Sequence, residues 1–358
     1  MDYNNNLIIA SRSITARAAD HIQNMKMAAR GENFYIESPL DINGFKLERH
    51  AKIDDAVVAS LLDSFDIKPK SKKFFERSST LLFGVIKDYA AMLGPFSGED
   101  TGLFCATGPA NAPLKDFTDW ASEIDDNEEF YPPMMASSVI KLLPNIIMSN
   151  LSINTGWKGE NAVFSGPAAP FHDALTSMLL SMIAGPLSAA AAVSVSSPFE
   201  YFNMDSFSRF LPTAFFNAPL CEGASSLLCC TPEFYRDNIA KNSAPEPEGY
   251  IAAVDSYTTP KGLFDYSNIA SFTDTARIFL KDSGFDFSGV EFFKTAPALT
   301  GNFLSAGEPF NISSLIYELN RNDRSGYALS AVTDHFGGLH IIKAGGRRAA
   351  ARLLNQNQ

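Results

Sequence analysis

The spacing of apolar positions changes several times along the chain, and each change marks an element. Leu7 to Ala10 is an apolar run of strand length. Asp54 to Ser64 sets Val57, Val58, Leu61 and Leu62 at helical spacing. Phe74 to Leu93 repeats that spacing through Leu81, Leu82, Val85, Ile86, Tyr89 and Met92, and predicts one long amphipathic helix. Thr101 to Ala106 is expected as a buried strand ended by Thr107-Gly108-Pro109. Leu114 to Ile124 and Ser137 to Leu151 are expected as helices, and Ala162 to Ser165 as a short strand.

From Ala174 to Phe199 no residue is charged. That exceeds the ~18 apolar positions of a spanning helix. Six serines and the Gly185-Pro186 pair interrupt it, so it reads as a buried helix from Asp173 to Ala184 and a buried strand from Ala189 to Ser196. Ala224 to Cys230 is the next strand, and Asn242 to Gly249 is a Pro/Glu-rich surface loop. Ser271 to Asp282 and Asn311 to Arg321 are expected as helices, Gly289 to Phe293 and Leu339 to Lys343 as strands. Alternating strands and helices give an α/β class with buried sheets.

The 358 residues carry 29 basic and 40 acidic side chains, a net charge of −11. An acidic chain repels phosphate backbones, which argues against nucleic-acid binding. Arg347, Arg348 and Arg352 are expected to lie on a solvated tail. The four cysteines, Cys105, Cys221, Cys229 and Cys230, lie in apolar runs without metal or redox spacing. Reduced buried thiols and a cytoplasmic address follow, with no signal peptide, membrane span, metal or cofactor expected. Ser165, His172 and Asp173 are near one another in sequence, but no Gly-x-Ser-x-Gly elbow accompanies them. His172 is expected on a helix face or interface, and His335 and His340 flank Phe336-Gly337-Gly338 as loop and strand residues.

Four stretches, in order, resemble landmarks of the β-ketoacyl synthases. Leu143-Pro144-Asn145 through Asn150 to Asn161 is similar to their "PNM…G-x-(K/R)-G-P-N" block. Ala162 to Leu175 stands where the family has a strand, its nucleophile and the nucleophile's helix. Glu222-Gly223-Ala224 resembles "EGAGVLVLE"; Thr300 to Gly307 resembles "TGHLLGAAG", and Phe336-Gly337-Gly338 resembles "GFGG". The resemblance implies a thiolase-like fold: two similar βαβαβ-type halves in α-β-α-β-α layers. They would comprise residues 1–215 and a shortened 216–358.

The departures bear on function. The family's nucleophilic cysteine sits at a helix N-terminus, where the dipole favours a thiolate. Aligned through Asn161, that position is Ala168. The histidine of "TGH" is Asn302, and the lysine five residues before it is Pro297. No "HGTGT" block exists, because Val290 to Phe293 runs almost directly into Thr300-Gly301. The phenylalanine before "GFGG" falls on Asp334.

This concerted loss resembles the chain length factor, the inactive partner of type II polyketide ketosynthases. The alanine and the short chain point to divergent aryl polyene or Gram-negative anthraquinone systems. The resemblance implies a chain inactive alone, partnered by an active ketosynthase, an acyl carrier protein and a growing acyl chain. Leu114, Phe117, Met134, Met135 and Ser138 fall in the segments that line the family's acyl tunnel. The competing readings are a homodimeric acyltransferase or thioesterase using Ser165 or a cysteine such as Cys229, and a scaffold without a cavity.

Overall fold

A computed structural model describes residues 6–42, 44–94, 98, 100–108, 143–166, 169–185, 187–199, 204, 217–242, 246–334 and 336–356. Nine strands form one mixed sheet. They are β1 (Asn6–Thr15), β2 (Thr101–Thr107), β3 (Asn161–Ser165), β4 (Ala189–Ser196), β5 (Gly223–Cys230), β6 (Gly249–Thr258), β7 (Val290–Ala296), β8 (Tyr327–Thr333) and β9 (Gly338–Gly346). Their order is β7-β8-β9-β6-β1-β5-β4-β2-β3.

Among the described residues, the helices of nine residues or more are α1 (His21–Ala29), α2 (Asp55–Asp63), α3 (Arg77–Ile86), α4 (Pro144–Thr155), α5 (Pro170–Ala184), α6 (Phe272–Asp282), α7 (Gly307–Arg321) and α8 (Arg347–Gln356).

Period-two alternation sorts the strand side chains between layers. Leu103 and Cys105 of β2 join an outer cluster with Leu81, Leu82 and Ile86 of α3. Phe104 and Ala106 turn inward to Phe171, Leu175 and Met178 of α5 and to Ile312 and Leu315 of α7. On the far side, Leu329 and Ala331 of β8 pack with Phe272, Ala276 and Leu280 of α6. The succession is α-β-α-β-α, with helix α5, which carries no charge beyond Asp173, packed in the central layer. No helix among the described residues is long and apolar enough to cross a membrane.

The pairing pattern occurs twice. β1 and β5, then β5 and β4, are antiparallel, while β4 and β2 are parallel. Likewise β6 and β9, then β9 and β8, are antiparallel, while β8 and β7 are parallel. β1 and β6 join the two sets through Leu7↔Tyr250 and Ile8↔Gly249. The first set continues outward to β3, parallel to β2. Among the described residues the second has no counterpart of β3: from Ala296 the chain passes through residues 297–299 to Thr300 and on into α7.

Several elements differ from expectation. The predicted 74–93 helix is divided into α3 and a short helix, Tyr89–Leu93. α5 begins at Pro170, where proline suits a first turn, and α7 at Gly307. The tail with Arg347, Arg348 and Arg352 is α8, docked by a buried Ala350 and half-buried Leu353 and Leu354. β6, β8 and α1 are further elements, discussed below. The helix expected at 114–124 and the first residues of the one at 137–151 lie outside the described residues.

Glu222 shows why its sequence block matters to the fold. It is fully buried, and its carboxylate accepts from Arg77 Nε (2.5 Å), Arg77 Nη2 (2.7 Å), Ser197 Oγ (2.8 Å) and Ile53 N–H (2.9 Å). Such saturation offsets the cost of burying a charge. The pair ties the start of β5 to α3 and to the entry of α2.

Candidate functional site

The site is built where α5 begins, where the chain re-enters the core at Asn302, and where β8 turns into β9. Ala168 lies outside the described residues, as do Leu114, Phe117, Met134, Met135, Ser138 and His335.

Asn302 is buried and held as architecture. Its N–H donates to Pro219 O (2.8 Å), its carbonyl accepts from Cys221 N–H (2.9 Å), and its Oδ1 caps Leu304 N–H (3.1 Å). Its Nδ2 is buried and has no hydrogen-bond partner among the described residues. Beside it, Ser305 Oγ donates to Val195 O (2.5 Å) and Ser194 Oγ to Ser305 O (2.7 Å). Gly301 is required here, because a Cβ would stand 2.6 Å from Cys221 Sγ.

No cysteine is poised as a nucleophile. All four are fully buried and unpaired. Burial pushes the thiols of Cys105 and Cys221 far up and that of Cys229 up to about 12, so the thiolate is suppressed. Ser165 Oγ lies 2.9 Å from Thr107 Oγ1 rather than at a histidine. Ser165, His172 and Asp173 therefore do not assemble.

His172 instead enters a different constellation. Pro170 opens α5 and points the first-turn His172 inward, 3% exposed. Its Nδ1 stands 3.3 Å from Oε1 of Glu308, a fully buried residue in the first turn of α7. Its Nε2 stands 3.0 Å from Oγ of Ser256 on β6, and the same Oγ lies 3.0 Å from Nδ1 of His340 on β9. The far nitrogen, His340 Nε2, meets Asp334 Oδ2 at 2.8 Å. Glu308, His172, Ser256, His340 and Asp334 thus form one hydrogen-bonded chain, with the imidazole centroids 4.9 Å apart. Ser256 is the exposed member.

The turn between β8 and β9 is shaped for this. Asp334 Oδ1 accepts the N–H groups of Phe336 and Gly338, both at 2.8 Å. Gly337 has φ +96°, and a Cβ on Gly338 would stand 2.6 Å from His340 Nε2. Burial alone would raise the Asp334 carboxyl, but His340 and the turn N–H groups hold it below the usual range. Burial likewise works against a charged His340. The Asp334 hydrogen bond, with the negative charges of Glu308, Asp334 and Asp173, raises it above the usual value nonetheless.

His172, His340 and Asp334 were singled out in the sequence, but not as partners. Ser256 and Glu308 were missed. The available signal was strand register: β6 and β9 pair Ser256 with His340 directly. No group of three or more potential metal ligands occurs among the described residues.

Against solved structures, the chain is similar to the ishigamide ketosynthase/chain length factor, with a TM-score of 0.66 at 16% identity over 96% of this chain and 99% of that one. It is similar to the ketosynthase from module 6 of the bacillaene synthase of Bacillus subtilis 168, with a TM-score of 0.65 at 10% identity over 96% and 72%. A β-ketoacyl synthase from Burkholderia phymatum STM815 gives 0.63 at 13% identity over 97% and 100%. The fold is the ketosynthase fold. The ketosynthase-like architecture accounts for the twofold strand pattern and for two long helices in the central layer. No protein-family model and no curated protein matches the chain.

Proposed function

We propose that this chain is a ketosynthase-like subunit of polyketide biosynthesis that has lost condensation. On this reading it pairs with an active, cysteine-bearing ketosynthase and shapes the acyl tunnel that sets product length. The observation that carries the reading is the state of its thiols: every cysteine is buried with its ionisation suppressed. Decarboxylative condensation needs a thiolate to hold the growing chain. The structural role of Asn302 and the direct passage from β7 to Thr300 support the same reading.

Pairing is supported by the sheet's open edge. β3 is bonded only to β2 among the described residues. The two helices beside it expose apolar side chains, including Ile153 (73% exposed) on α4 and Ile183 (56%) on α5. An unpaired edge with apolar flanks favours a second chain. Buried against a partner, each such side chain contributes about 1.5–3 kcal/mol.

In the partnered enzyme, Leu114, Phe117, Met134, Met135 and Ser138 would line the tunnel, with the acyl chain delivered by an acyl carrier protein in the cytoplasm. Each CH₂ accommodated contributes about 0.8 kcal/mol, so a blocking side chain is enough to set length. The expected systems are of the aryl polyene or anthraquinone type. The reading carries with it a division into two thiolase-like halves, residues 1–215 and a shortened 216–358. Co-expression with a cysteine-bearing synthase tests the function. Phe117→Ala or Met134→Ala is expected to lengthen the product, and unchanged lengths for both would reject the tunnel role.

A further inference from the structure

Ser256 sits where two imidazoles converge, and each of them carries an acidic residue on its other ring nitrogen. His340 Nδ1 and His172 Nε2 are both 3.0 Å from Ser256 Oγ. Asp334 holds His340 Nε2 at 2.8 Å, and Glu308 stands 3.3 Å from His172 Nδ1. A serine has one hydroxyl hydrogen, so one imidazole accepts it while the other donates to the same oxygen. An acid orienting an imidazole that takes a hydroxyl proton is the logic of serine acyl transfer. Here the two ring nitrogens exchange roles relative to the serine-protease order.

The surroundings supply a helix N-terminus and one exposed aromatic side chain. α5 is 15 residues long and starts two residues before His172, so its positive end lies near the serine that His172 contacts. Phe336, 78% exposed, stands on the turn that fixes Asp334. Ser256 is exposed to an incoming ligand, whereas His172 and Glu308 are not. Ser256, His340, His172 and Glu308 are not positions that the family resemblance assigns to condensation, and Asp334 replaces the phenylalanine that stands before the family's "GFGG".

We propose that Ser256 is the nucleophile of an acyl-hydrolase site that takes an acyl thioester with an apolar chain. His340 is the general base and acid, and Asp334 is its positioning residue. Ser256 Oγ attacks the carbonyl carbon as its proton passes to His340 Nδ1. The carbon–sulfur bond breaks, and the leaving thiolate takes that proton. Water then attacks the serine ester, gives its proton to His340, and the Oγ–carbonyl bond breaks with the proton returned to Ser256. The sum is thioester plus water to acid plus thiol. This goes beyond the loss of condensation; only the thioester form of the substrate rests on the ketosynthase-like reading.

The test uses the full chain, p-nitrophenyl octanoate, the octanoyl thioester of N-acetylcysteamine, and a fluorophosphonate probe read by peptide mass mapping. Expected results are one adduct, on Ser256, and hydrolysis that rises with pH through the raised pKa of His340. Ser256→Ala is expected to abolish the adduct and lower the rate about 100-fold or more. Asp334→Asn is expected to move the pH rise downward, a shift that a purely structural role would not give. Ser256→Cys is expected to gain iodoacetamide labelling at neutral pH, and it decides the matter if the alanine variant is unstable. An unlabelled Ser256 in folded protein, or an adduct that survives Ser256→Ala, overturns the proposal. Cleavage of the ester alone supports the serine and overturns the thioester assignment, with no bearing on whether the chain condenses.

Discussion

Asp334 and His340 close a 2.8 Å hydrogen bond across the turn from β8 to β9, and each holds the other in its charged form. Their stabilisation therefore has two edges in pH. The His340 part is complete below about pH 6.5, the ordinary histidine value, and is lost as pH rises through its raised pKa. The Asp334 part is present above about pH 3.9 and is lost as pH falls through its lowered pKa. Imidazole titration by NMR should place the His340 midpoint above 6.5. Asp334→Asn should move it down, and an unmoved midpoint would contradict the pairing.

Gly338 makes room for that pair. An added Cβ would stand 2.6 Å from His340 Nε2 and also against Asp334 Oδ2. Gly338→Ala is expected to cost about 1–3 kcal/mol through overpacking and to lower the His340 midpoint. Denaturant melts with the same NMR titration check both. A variant with wild-type stability and midpoint would show that the turn has slack.

Glu222 and Arg77 carry the opposite expectation, for stability rather than chemistry. Glu222 is fully buried, the Arg77 side chain is 16% exposed, and the carboxylate is saturated. Removing one partner leaves the other uncompensated, so Arg77→Met should destabilise by about 3–5 kcal/mol. Urea unfolding is the measurement; a loss under about 1 kcal/mol would mean the pair is solvated.

The β3 edge, bonded only to β2 among the described residues, predicts a selective loss of partnering. Ile153→Glu with Ile183→Glu places charges beside β3 on side chains that are 73% and 56% exposed. The double variant should keep its circular dichroism and thermal melt, and lose co-purification with the proposed cysteine-bearing partner. Retained co-purification would move the interface elsewhere.

The sequence made the buried strands legible where apolar runs were unbroken, as at Ala189–Ser196 and Ala224–Cys230. It hid β8, whose small residues in Tyr327–Thr333 give little period-two contrast. It also hid β6, because Asp255 and Ser256 interrupt the apolar run where the strand leaves the sheet centre for an exposed end. α1 was missed although Asp20 caps it through Gln23 N–H at 2.7 Å, since apolar positions on it are few. The family landmarks pointed to the fold and to Asn302. The Ser256 constellation was illegible because it joins four distant segments, and only strand register brings Ser256 to His340.

The most direct test of the proposed loss of condensation is carbon dioxide release from a malonyl thioester with an acyl primer, measured for this chain alone and with a co-expressed cysteine-bearing synthase. The account predicts background release from the isolated chain and full release from the pair. Condensation product formed by the isolated chain would contradict it.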